Sequence, residues 1–376
     1  MIVFLALIVG GGFLVLGGEL LVRGASRLAL AIGLTPLFVG LTVVSLGTSA
    51  PEMAVSVQTA LEGKGDITLG NVVGSNLFNM LAIIGCSTLV IALGVRRQMI
   101  TWDVPALIAI SLAAYAMAWT GGEINRVEAV ILLVAMVVYL TISFLLGKRE
   151  AMRQDGGDLE SPPEPIHGDD ANTDASDDAI LDPDGDGVPD FAGSESEGLV
   201  AVGNDPMDDD LKLPENRPWY YTLLDLLILI AGVVILVLGC NLFVFGSVKV
   251  AHLIGMSDVV IGLTIVSVGT SLPELVTSVM ASLKGQREIA IGNAIGSSIM
   301  NLACVLGLAA LVAPMPVAPQ LLQFDMLLMV GVAVLCWPIF WTGMKIDRRE
   351  GIFLLVLYVV YMAYVVFSSD AASAAK

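Results

Sequence analysis

Residues 40–52 read GLTVVSLGTSAPE, and residues 262–274 read GLTIVSVGTSLPE. The two stretches are identical at 10 of 13 positions. A second pair of motifs follows in the same register, with GNVVGSNLFN at 70–79 and GNAIGSSIMN at 292–301. One ungapped alignment, which pairs position 40 with 262 and position 70 with 292, covers both motifs; it is called the repeat alignment below. Because no insertion falls between the two motifs of either copy, the chain contains an internal duplication.

The duplicated motifs lie in a chain with the composition of a membrane protein. Of its 376 residues, 56% are hydrophobic and 14% are charged, whereas soluble domains carry about 25% charged residues. Apolar runs of about 20 residues can cross a bilayer as helices, and they predict an all-α polytopic membrane protein with ten spans. These spans are placed at about 2–32, 36–61, 67–93, 102–120, 126–146, 220–250, 258–283, 289–313, 320–341 and 350–368.

The ten spans divide into two repeats of five, 1–146 and 219–370. Because five is odd, the second copy enters the membrane in the opposite orientation, which predicts the inverted repeats that are typical of secondary transporters. The positive charges favour one orientation. With the N-terminus outside, the inner connections hold twelve Lys and Arg residues and the outer side holds three, so both termini are expected outside.

The net charge of −18 comes from one segment between the repeats. Residues 155–210 contain 19 Asp and Glu and no Lys or Arg, so the remainder of the chain carries about +1. This local acidity argues against a nucleic-acid partner. The polar stretch 147–218 lacks the apolar residues that a core needs, and it is expected to be a mostly disordered cytoplasmic loop.

Within the acidic stretch, residues 182–190 read DPDGDGVPD. This pattern matches the first nine positions of a calcium-binding loop, although the twelfth position is Gly193 rather than glutamate. Two interpretations remain, a regulatory calcium site and an acidic solvated linker. The calcium ligands of the first interpretation are Asp182, Asp184, Asp186, the carbonyl of Val188 and Asp190.

Other features limit the class of protein. The four cysteines fall in apolar stretches without paired spacing, so neither a disulfide framework nor a zinc site is expected. The first 18 residues carry no charge, which favours a retained first helix over a signal peptide. With two histidines in the chain, no nucleophile motif and no phosphate-binding glycine loop, neither an enzyme nor a bound cofactor is expected.

Two glutamates stand out within the apolar spans. Glu52 and Glu274 each follow a proline in the middle of a span. A carboxylate at membrane depth is costly and marks a functional site by default. The alternative, a buried glutamate that neighbouring hydroxyls satisfy, does not by itself explain why the residue recurs in both copies.

The residues before each glutamate offer further oxygen atoms. Pro51 and Pro273 remove helical hydrogen bonds and free the carbonyls of Gly47 and Gly269. Hydroxyl groups lie at the same level, on Thr48, Ser49, Thr270 and Ser271. An ordinary proline kink, which is common in membrane helices, is the alternative.

The second motif supplies amides and hydroxyls at four-residue spacing, which places them on one helical face. These residues are Asn71, Ser75 and Asn79 in the first copy, and Asn293, Ser297 and Asn301 in the second. Alone, the motif could be a packing seam of small residues. Beside the glutamates it predicts the opposite wall of an all-oxygen ion site, which suits calcium and sodium better than softer metals.

The paired GTS-x-PE and GN-x-x-GS motifs resemble the calcium/cation antiporter superfamily, and its sodium/calcium exchanger branch in particular. The resemblance covers roughly 1–146 and 220–368. It implies ten helices, of which the first and sixth form a pair that slides against a central ion-binding core. It also implies that Glu52 and Glu274 are ligands shared by calcium and sodium.

The resemblance assigns the remaining ligands residue by residue. Backbone carbonyls would come from Ser45, Thr48, Ser267 and Thr270. Side chains of Ser49, Ser75, Ser271 and Ser297 would complete the sodium sites, and Asn79 and Asn301 would line the centre. In potassium-dependent relatives an aspartate at the central position is tied to potassium, so two neutral asparagines argue against potassium co-transport.

The expected function is export of calcium driven by sodium entry, through alternating access, in the cell membrane. The expected partners are calcium, sodium and the lipid bilayer, and the oligomeric state is left open. Within transporters, the alternative is a proton-coupled calcium or cation antiporter, because the same two glutamates could load and release protons. In a different class, a cation channel or a membrane calcium sensor remains an alternative, although an inverted repeat with a site at the midplane is typical of transporters.

Overall fold

Both repeats of the protein are helical. The computed structural model describes residues 2–31, 33–157, 219–253 and 267–374. The first repeat contains α1 (Ile2–Ala31), α2 (Pro36–Val39), α3 (Ser45–Thr48), α4 (Ala50–Leu61), α5 (Gly65–Leu77), α6 (Ile84–Val90), α7 (Val104–Gly121) and α8 (Arg126–Gly157). The second contains α9 (Trp219–Leu253), α10 (Ser267–Thr270), α11 (Leu272–Leu283), α12 (Arg287–Met300), α13 (Leu306–Val312), α14 (Met326–Trp341) and α15 (Arg348–Ala374). Short π-helical segments continue several of these helices, at Gly40–Val44, Phe78–Ile83, Met99–Asp103, Asn301–Val305 and Leu321–Asp325. Thr342–Met344 forms a 3-10 turn.

Seven helical stretches in the described residues are long and apolar enough to cross a membrane, and the bent pair formed by Pro36–Thr48 and Ala50–Leu61 raises the number to eight. The seven are Val3–Ala31, Gly65–Val90, Met99–Gly121, Arg126–Arg149, Tyr220–Val250, Arg287–Val312 and Leu321–Met344. The prediction of a helical membrane protein is thereby confirmed. Of the two remaining predicted spans, 258–283 begins outside the described residues, and 350–368 lies within α15.

The two motif-bearing helices occupy the centre of the protein. In an 18-residue window of Gly65–Val90 and of Arg287–Val312, 83% and 78% of the residues are buried, against 28–39% in the windows of the other long stretches. Every residue from Ile289 to Met300 is buried. This burial follows from composition, because the central helices are rich in Gly, Ala, Asn and Ser, and small residues permit close helix approach.

Two short antiparallel ladders join the repeats. Strand β1 (Leu93–Gly94) pairs with β4 (Lys345–Ile346), and β2 (Glu123–Ile124) pairs with β3 (Met315–Pro316). One further backbone hydrogen bond extends each ladder, with lengths of 2.8 and 2.9 Å. The repeat alignment makes β1 the equivalent of β3 and β2 the equivalent of β4, so each ladder takes one strand from each repeat.

Helices α8 and α15 begin with equivalent side-chain caps. Asn125 accepts hydrogen bonds from the backbone of the first turn of α8, while its own N–H donates to Glu128 at 2.9 Å. In the second repeat the N–H of Asp347 donates to Glu350 at 2.8 Å. The contacts at α8 are the reciprocal bonds of a capping box, and Glu350 makes the equivalent of one of these bonds at α15. Such bonds satisfy N–H groups that a helix start otherwise leaves unpaired.

A glycine seam joins α1 and α9. A Cβ atom added to Gly10 would lie 2.7 Å from the backbone N of Phe243, and one added to Gly24 would lie 2.7 Å from that of Leu229. The two helices therefore run antiparallel, with backbones too close for larger side chains. The seam consists of Gly10, Gly17, Gly24, Gly232, Gly239 and Gly246. The glycines recur at every seventh position on each helix, a regularity that lies outside the duplicated motifs.

Candidate ion-binding site

The GTS-x-PE motif interrupts a helix in each repeat. Ser49 separates α3 from α4 with φ −80° and ψ 8°, and Ser271 separates α10 from α11 with φ −92° and ψ 9°. In the first repeat the two halves of the helix differ in direction by 47°. Proline occupies the start of the second half, where its missing N–H is tolerated. As a result the glutamate lies in the first turn of a new helix, inside the protein.

The two glutamates are held across the repeats. Ser49 Oγ donates a hydrogen bond of 3.0 Å to Glu274 Oε1, and Ser271 Oγ donates one of 2.9 Å to Glu52 Oε1. All four side chains are fully buried. The serine of each repeat thus binds the glutamate of the other, and the two halves of the duplicated motif form one site.

Each of these carboxylates keeps one oxygen without a partner. Oε2 of Glu52 and Oε2 of Glu274 are buried and make no hydrogen bond. Among the described ion pairs, none joins either carboxylate to a basic side chain. A buried charge without compensation costs several kcal/mol, so the pair of carboxylates has the chemistry of a site for a cation.

The central asparagines add four more unsatisfied atoms. Both the Oδ1 and the Nδ2 of Asn79 and of Asn301 lack hydrogen-bond partners, and both side chains are at most 1% exposed. Buried polar groups are nearly always paired, so each exception requires an explanation. An ion, or water around an ion, would supply partners for the carbonyl oxygens.

Both asparagines lie in π-helical turns. Asn79 belongs to Phe78–Ile83, and Asn301 opens Asn301–Val305. A π-turn adds one residue to the helical turn and often occurs at functional sites. Four-residue spacing predicted the helical face of these residues but not the π-turns, because no single residue type marks such a turn.

Two further asparagines form hydrogen bonds between the repeats. Thr48 Oγ1 donates to Asn293 Oδ1 at 3.2 Å, and Thr270 Oγ1 donates to Asn71 Oδ1 at 3.3 Å. The repeat alignment makes these two contacts equivalent. The side chains of Thr48 and Thr270 therefore hold the opposite helices, while their backbone carbonyls remain the predicted ligands.

The amide nitrogens of Asn71 and Asn293 donate hydrogen bonds to two serines that lie outside the duplicated motifs. Asn71 Nδ2 donates to Ser56 Oγ at 3.1 Å, and Asn293 Nδ2 donates to Ser278 Oγ at 2.9 Å. The signal was present in the sequence, because Ser56 and Ser278 each follow the site glutamate by one helical turn. Their role here is to orient the asparagines.

The serines of the second motif also come to the site. Ser75 Oγ lies 3.0 Å from Ser271 Oγ, and Ser297 Oγ lies 3.5 Å from Thr48 Oγ1. Both serines are buried. The structure thus brings each next to the interrupted helix of the other repeat.

The remaining predicted carbonyl ligands differ in their surroundings. The carbonyl of Ser45 accepts the backbone N–H of Ser49 at 2.9 Å and the hydroxyl of Thr48 at 3.4 Å. Ser267 begins α10, and its side chain lies outside the described residues. The carbonyl of Gly269, which Pro273 was predicted to free, accepts a hydrogen bond from the thiol of Cys240 on α9 at 2.8 Å.

The predicted calcium loop lies outside the described residues, with all five of its ligands: Asp182, Asp184, Asp186, Val188 and Asp190. Within the described ranges, no group of three or more His, Cys, Asp or Glu side chains comes together. The paired site is therefore a site of two carboxylates surrounded by neutral oxygens.

Comparison with known proteins agrees with this geometry. The family model described as "Sodium/calcium exchanger protein" matches residues 2–145 and 224–367. The protein named "Putative antiporter CaxA" from Alkalimonas amylolytica is 30% identical over 326 residues, which cover 86% of this chain and 85% of that protein. "Sodium/calcium exchanger MaX1" from Methanosarcina acetivorans is 41% identical over 138 residues, 37% of this chain and 39% of that protein.

Solved structures show the same fold. A structure of the sodium-calcium exchanger NCX_Mj superposes with a TM-score of 0.72 over 96% of this chain and 98% of that chain. The sequence identity is 23%, so this likeness concerns the fold.

Proposed function

This chain belongs to the sodium/calcium exchanger protein family, and we propose that it exports calcium in exchange for sodium by alternating access at the paired glutamate site. The chain is an integral membrane protein, and its family is one of transporters rather than enzymes. The observation that carries the proposal is the reciprocal contact of Ser49 with Glu274 and of Ser271 with Glu52.

The ligand set that we propose is made of oxygen atoms from both repeats. Its support is the burial of ten of its members, all except Ser267 and Thr270, together with the unpartnered carboxylate and amide oxygens at the centre. The set comprises Ser45, Thr48, Ser49, Glu52, Ser75, Asn79, Ser267, Thr270, Ser271, Glu274, Ser297 and Asn301. Calcium takes six to eight such ligands in flexible geometry.

Charge explains why the two ions would compete. Two carboxylates neutralise one calcium ion or two sodium ions, so either load can fill the same buried site. The change of access would not occur with the site empty, because two uncompensated charges would then be buried at membrane depth, which is costly. This requirement couples the outward movement of one ion to the inward movement of the other.

The two ladders support the proposed topology of ten spans in two inverted repeats. Six predicted spans separate β1 from β4, and four separate β2 from β3. Both numbers are even, so an alternating chain brings each pair of strands to the same side of the membrane, as pairing requires. With the excess of positive charge inside, both termini lie outside the cell membrane and the acidic connection lies in the cytoplasm.

Proton coupling is the second candidate function, and one observation favours it. The unpartnered Oε2 atoms of Glu52 and Glu274 have no basic neighbour among the described ion pairs. A proton on each carboxyl group would also remove the uncompensated charge. The geometry of the site is the same for both couplings, and transport assays separate them.

The deciding experiment measures uptake of radioactive calcium by vesicles that contain the purified protein. One set holds sodium inside and none outside, and a second set carries a pH gradient instead. Glu52→Gln and Glu274→Gln remove one site charge each. Glu62→Gln is the matched control, because Glu62 caps the C-terminal end of the helix that contains Glu52 and its side chain is exposed.

Uptake driven by sodium is expected in the parent and in Glu62→Gln. The rate of calcium uptake in each site variant should fall at least about 30-fold, since removing one partner of a buried charged contact costs about 2–5 kcal/mol. Calcium uptake under the pH gradient but not under the sodium gradient would show that the protein is a proton-coupled antiporter. Full activity in both site variants would refute the assignment of the site.

A further inference from the structure

The two repeats differ in how the paired helices α1 and α9 contact the interrupted helices. On α1, Gly18 faces α11, where an added Cβ atom would lie 3.0 Å from Val276 Cγ1 and 3.8 Å from Met280 Cβ. Helix α1 therefore packs directly on this face of α11. The repeat alignment makes Cys240 the equivalent of Gly18, and it makes α4 the equivalent of α11.

Among the residues that the structure describes, no helix covers the equivalent face of α4. This face borders a cleft of about 570 Å³, in which Ala54 and Gln58 take the places of Val276 and Met280. The cleft is lined by Leu46, Ala50, Met53, Ala54, Val57, Gln58 and Leu61. The structure is thus asymmetric, with one interrupted helix covered by its neighbour and the other exposed at the same positions.

An ion pair accompanies the covered face. Lys284, at the end of α11, donates to Glu19 on α1 at 2.8 Å. Arg23, one turn further along α1, also contacts Glu19, at 3.1 Å. The Lys284 side chain is 19% exposed and the Glu19 side chain is 36% exposed, so solvent screens this pair only in part.

The second repeat cannot form the same ion pair. The equivalents of Glu19 and Lys284 are Asn241 and Glu62. An asparagine and a glutamate lack the opposite charges of an ion pair. The interaction that fixes α1 on α11 therefore has no charged counterpart between α9 and α4.

We propose that the Glu19–Lys284 ion pair is a latch that holds α1 on α11 and so favours this arrangement over one in which α9 covers the open face of α4. The proposal rests on the proposed antiport and specifies what biases its two arrangements. Because the glycine seam binds α1 to α9, releasing one helix allows both to move together. The bias lies in this contact, because the ion-binding residues themselves are nearly symmetric.

Cysteine pairs report the two arrangements directly. Gly18→Cys with Met280→Cys reports the present arrangement, since the separation of 3.8 Å between their Cβ positions equals the usual value of about 3.8 Å in disulfides. By the repeat alignment, the native Cys240 with Gln58→Cys reports the opposite arrangement. The full-length protein is used with the remaining cysteines replaced by alanine, and copper phenanthroline is the oxidant.

Loss of the latch should favour the second cross-link. In vesicles, Lys284→Gln should speed formation of the disulfide between Cys240 and Gln58→Cys about five-fold, which corresponds to about 1 kcal/mol for a partly exposed ion pair. Lys284→Arg keeps the charge and should restore the parent rate. The matched control is Lys345→Gln, which removes an exposed ion pair with Asp347 far along the chain.

Two results would overturn the latch. One is an equal rate in the parent, in Lys284→Gln and in the control. The other is a cross-link at Gly18→Cys and Met280→Cys with none at Cys240 and Gln58→Cys in any variant. Since cross-linking needs no calcium, a latch that responds in a protein without calcium transport would separate failure of the proposed function from failure of this inference.

Discussion

The reciprocal contact between serine and glutamate gives the sharpest test of the site. Ser49→Ala removes the hydroxyl that donates to Glu274 Oε1 at 3.0 Å, and it leaves Glu52 of the same repeat untouched. A hydrogen bond to a charged group contributes about 1.5–3 kcal/mol in soluble proteins. Polar pairs inside membrane proteins have measured values of about 0.6 kcal/mol on average and about 1.7 at most. We therefore expect a coupling energy of about 1–1.5 kcal/mol between Ser49 and Glu274.

A double-mutant cycle isolates this coupling. The free energy of unfolding of the ion-free protein is measured in mixed micelles for Ser49→Ala, Glu274→Ala and their combination. The control cycle combines Ser49→Ala with Glu52→Ala, two residues of one repeat that share no hydrogen bond in the structure, and its coupling should be near zero. Ser271→Ala should show the mirrored pattern, coupling to Glu52 alone.

The outcome that refutes the reasoning is specific. Coupling of Ser49 to Glu52 that equals or exceeds its coupling to Glu274 would mean that each repeat satisfies its own glutamate. The reciprocal site, and the proposed function that depends on it, would then have to be abandoned. Stability is measured rather than transport, because the hydrogen bonds exist without bound ions.

Three other predictions concern the surrounding scaffold. Gly17→Leu should abolish folded protein, because a Cβ atom at this position would already lie 2.5 Å from the backbone of α9. Gly12→Leu is the control: a Cβ atom there meets no described atom within 4 Å, so the yield and the thermal stability should be unchanged. Tyr139→Phe removes a hydroxyl that donates to the buried Asp103, and Tyr361→Phe removes one that donates to the partly buried Asp325, each at about 3 Å. Each change should lower the free energy of unfolding by about 1–2 kcal/mol, and two unchanged values would contradict the contacts. Arg96→Gln removes a partly exposed ion pair between the repeats and should cost about 1 kcal/mol or less, an effect that 0.5 M salt should weaken in the parent.

The sequence predicted which residues gather at the site because the duplication marks them twice. Glu52 and Glu274, with the hydroxyl residues before them, come together as the motifs indicated. Their use as ion ligands stays a prediction until transport is measured. The first part of the predicted span 258–283 also stays a prediction, because it lies outside the described residues.

The contacts between helices could not be predicted from the motifs. Periodicity places a residue on one face of its own helix, but the partner depends on the rotation and depth of a helix that belongs to the other repeat. This limit explains why the pairing of Ser49 with Glu274 was missed. A similar limit applies within each repeat to Asp103 with Tyr139 and to Asp325 with Tyr361, which are equivalent pairs.

The two ladders have a consequence for the architecture of the protein. The helical stretch Met99–Gly121 separates β1 from β2, and its 23 residues correspond to about 34 Å at 1.5 Å per residue. The repeats are thus joined by backbone hydrogen bonds at two rims of the protein, one at each end of this helix. Rotation of one repeat against the other would break backbone hydrogen bonds at each rim, so the ladders restrict the relative position of the two repeats that supply the carboxylates. A substitution at either rim could therefore alter ion selectivity from a distance while every ligand remains in place.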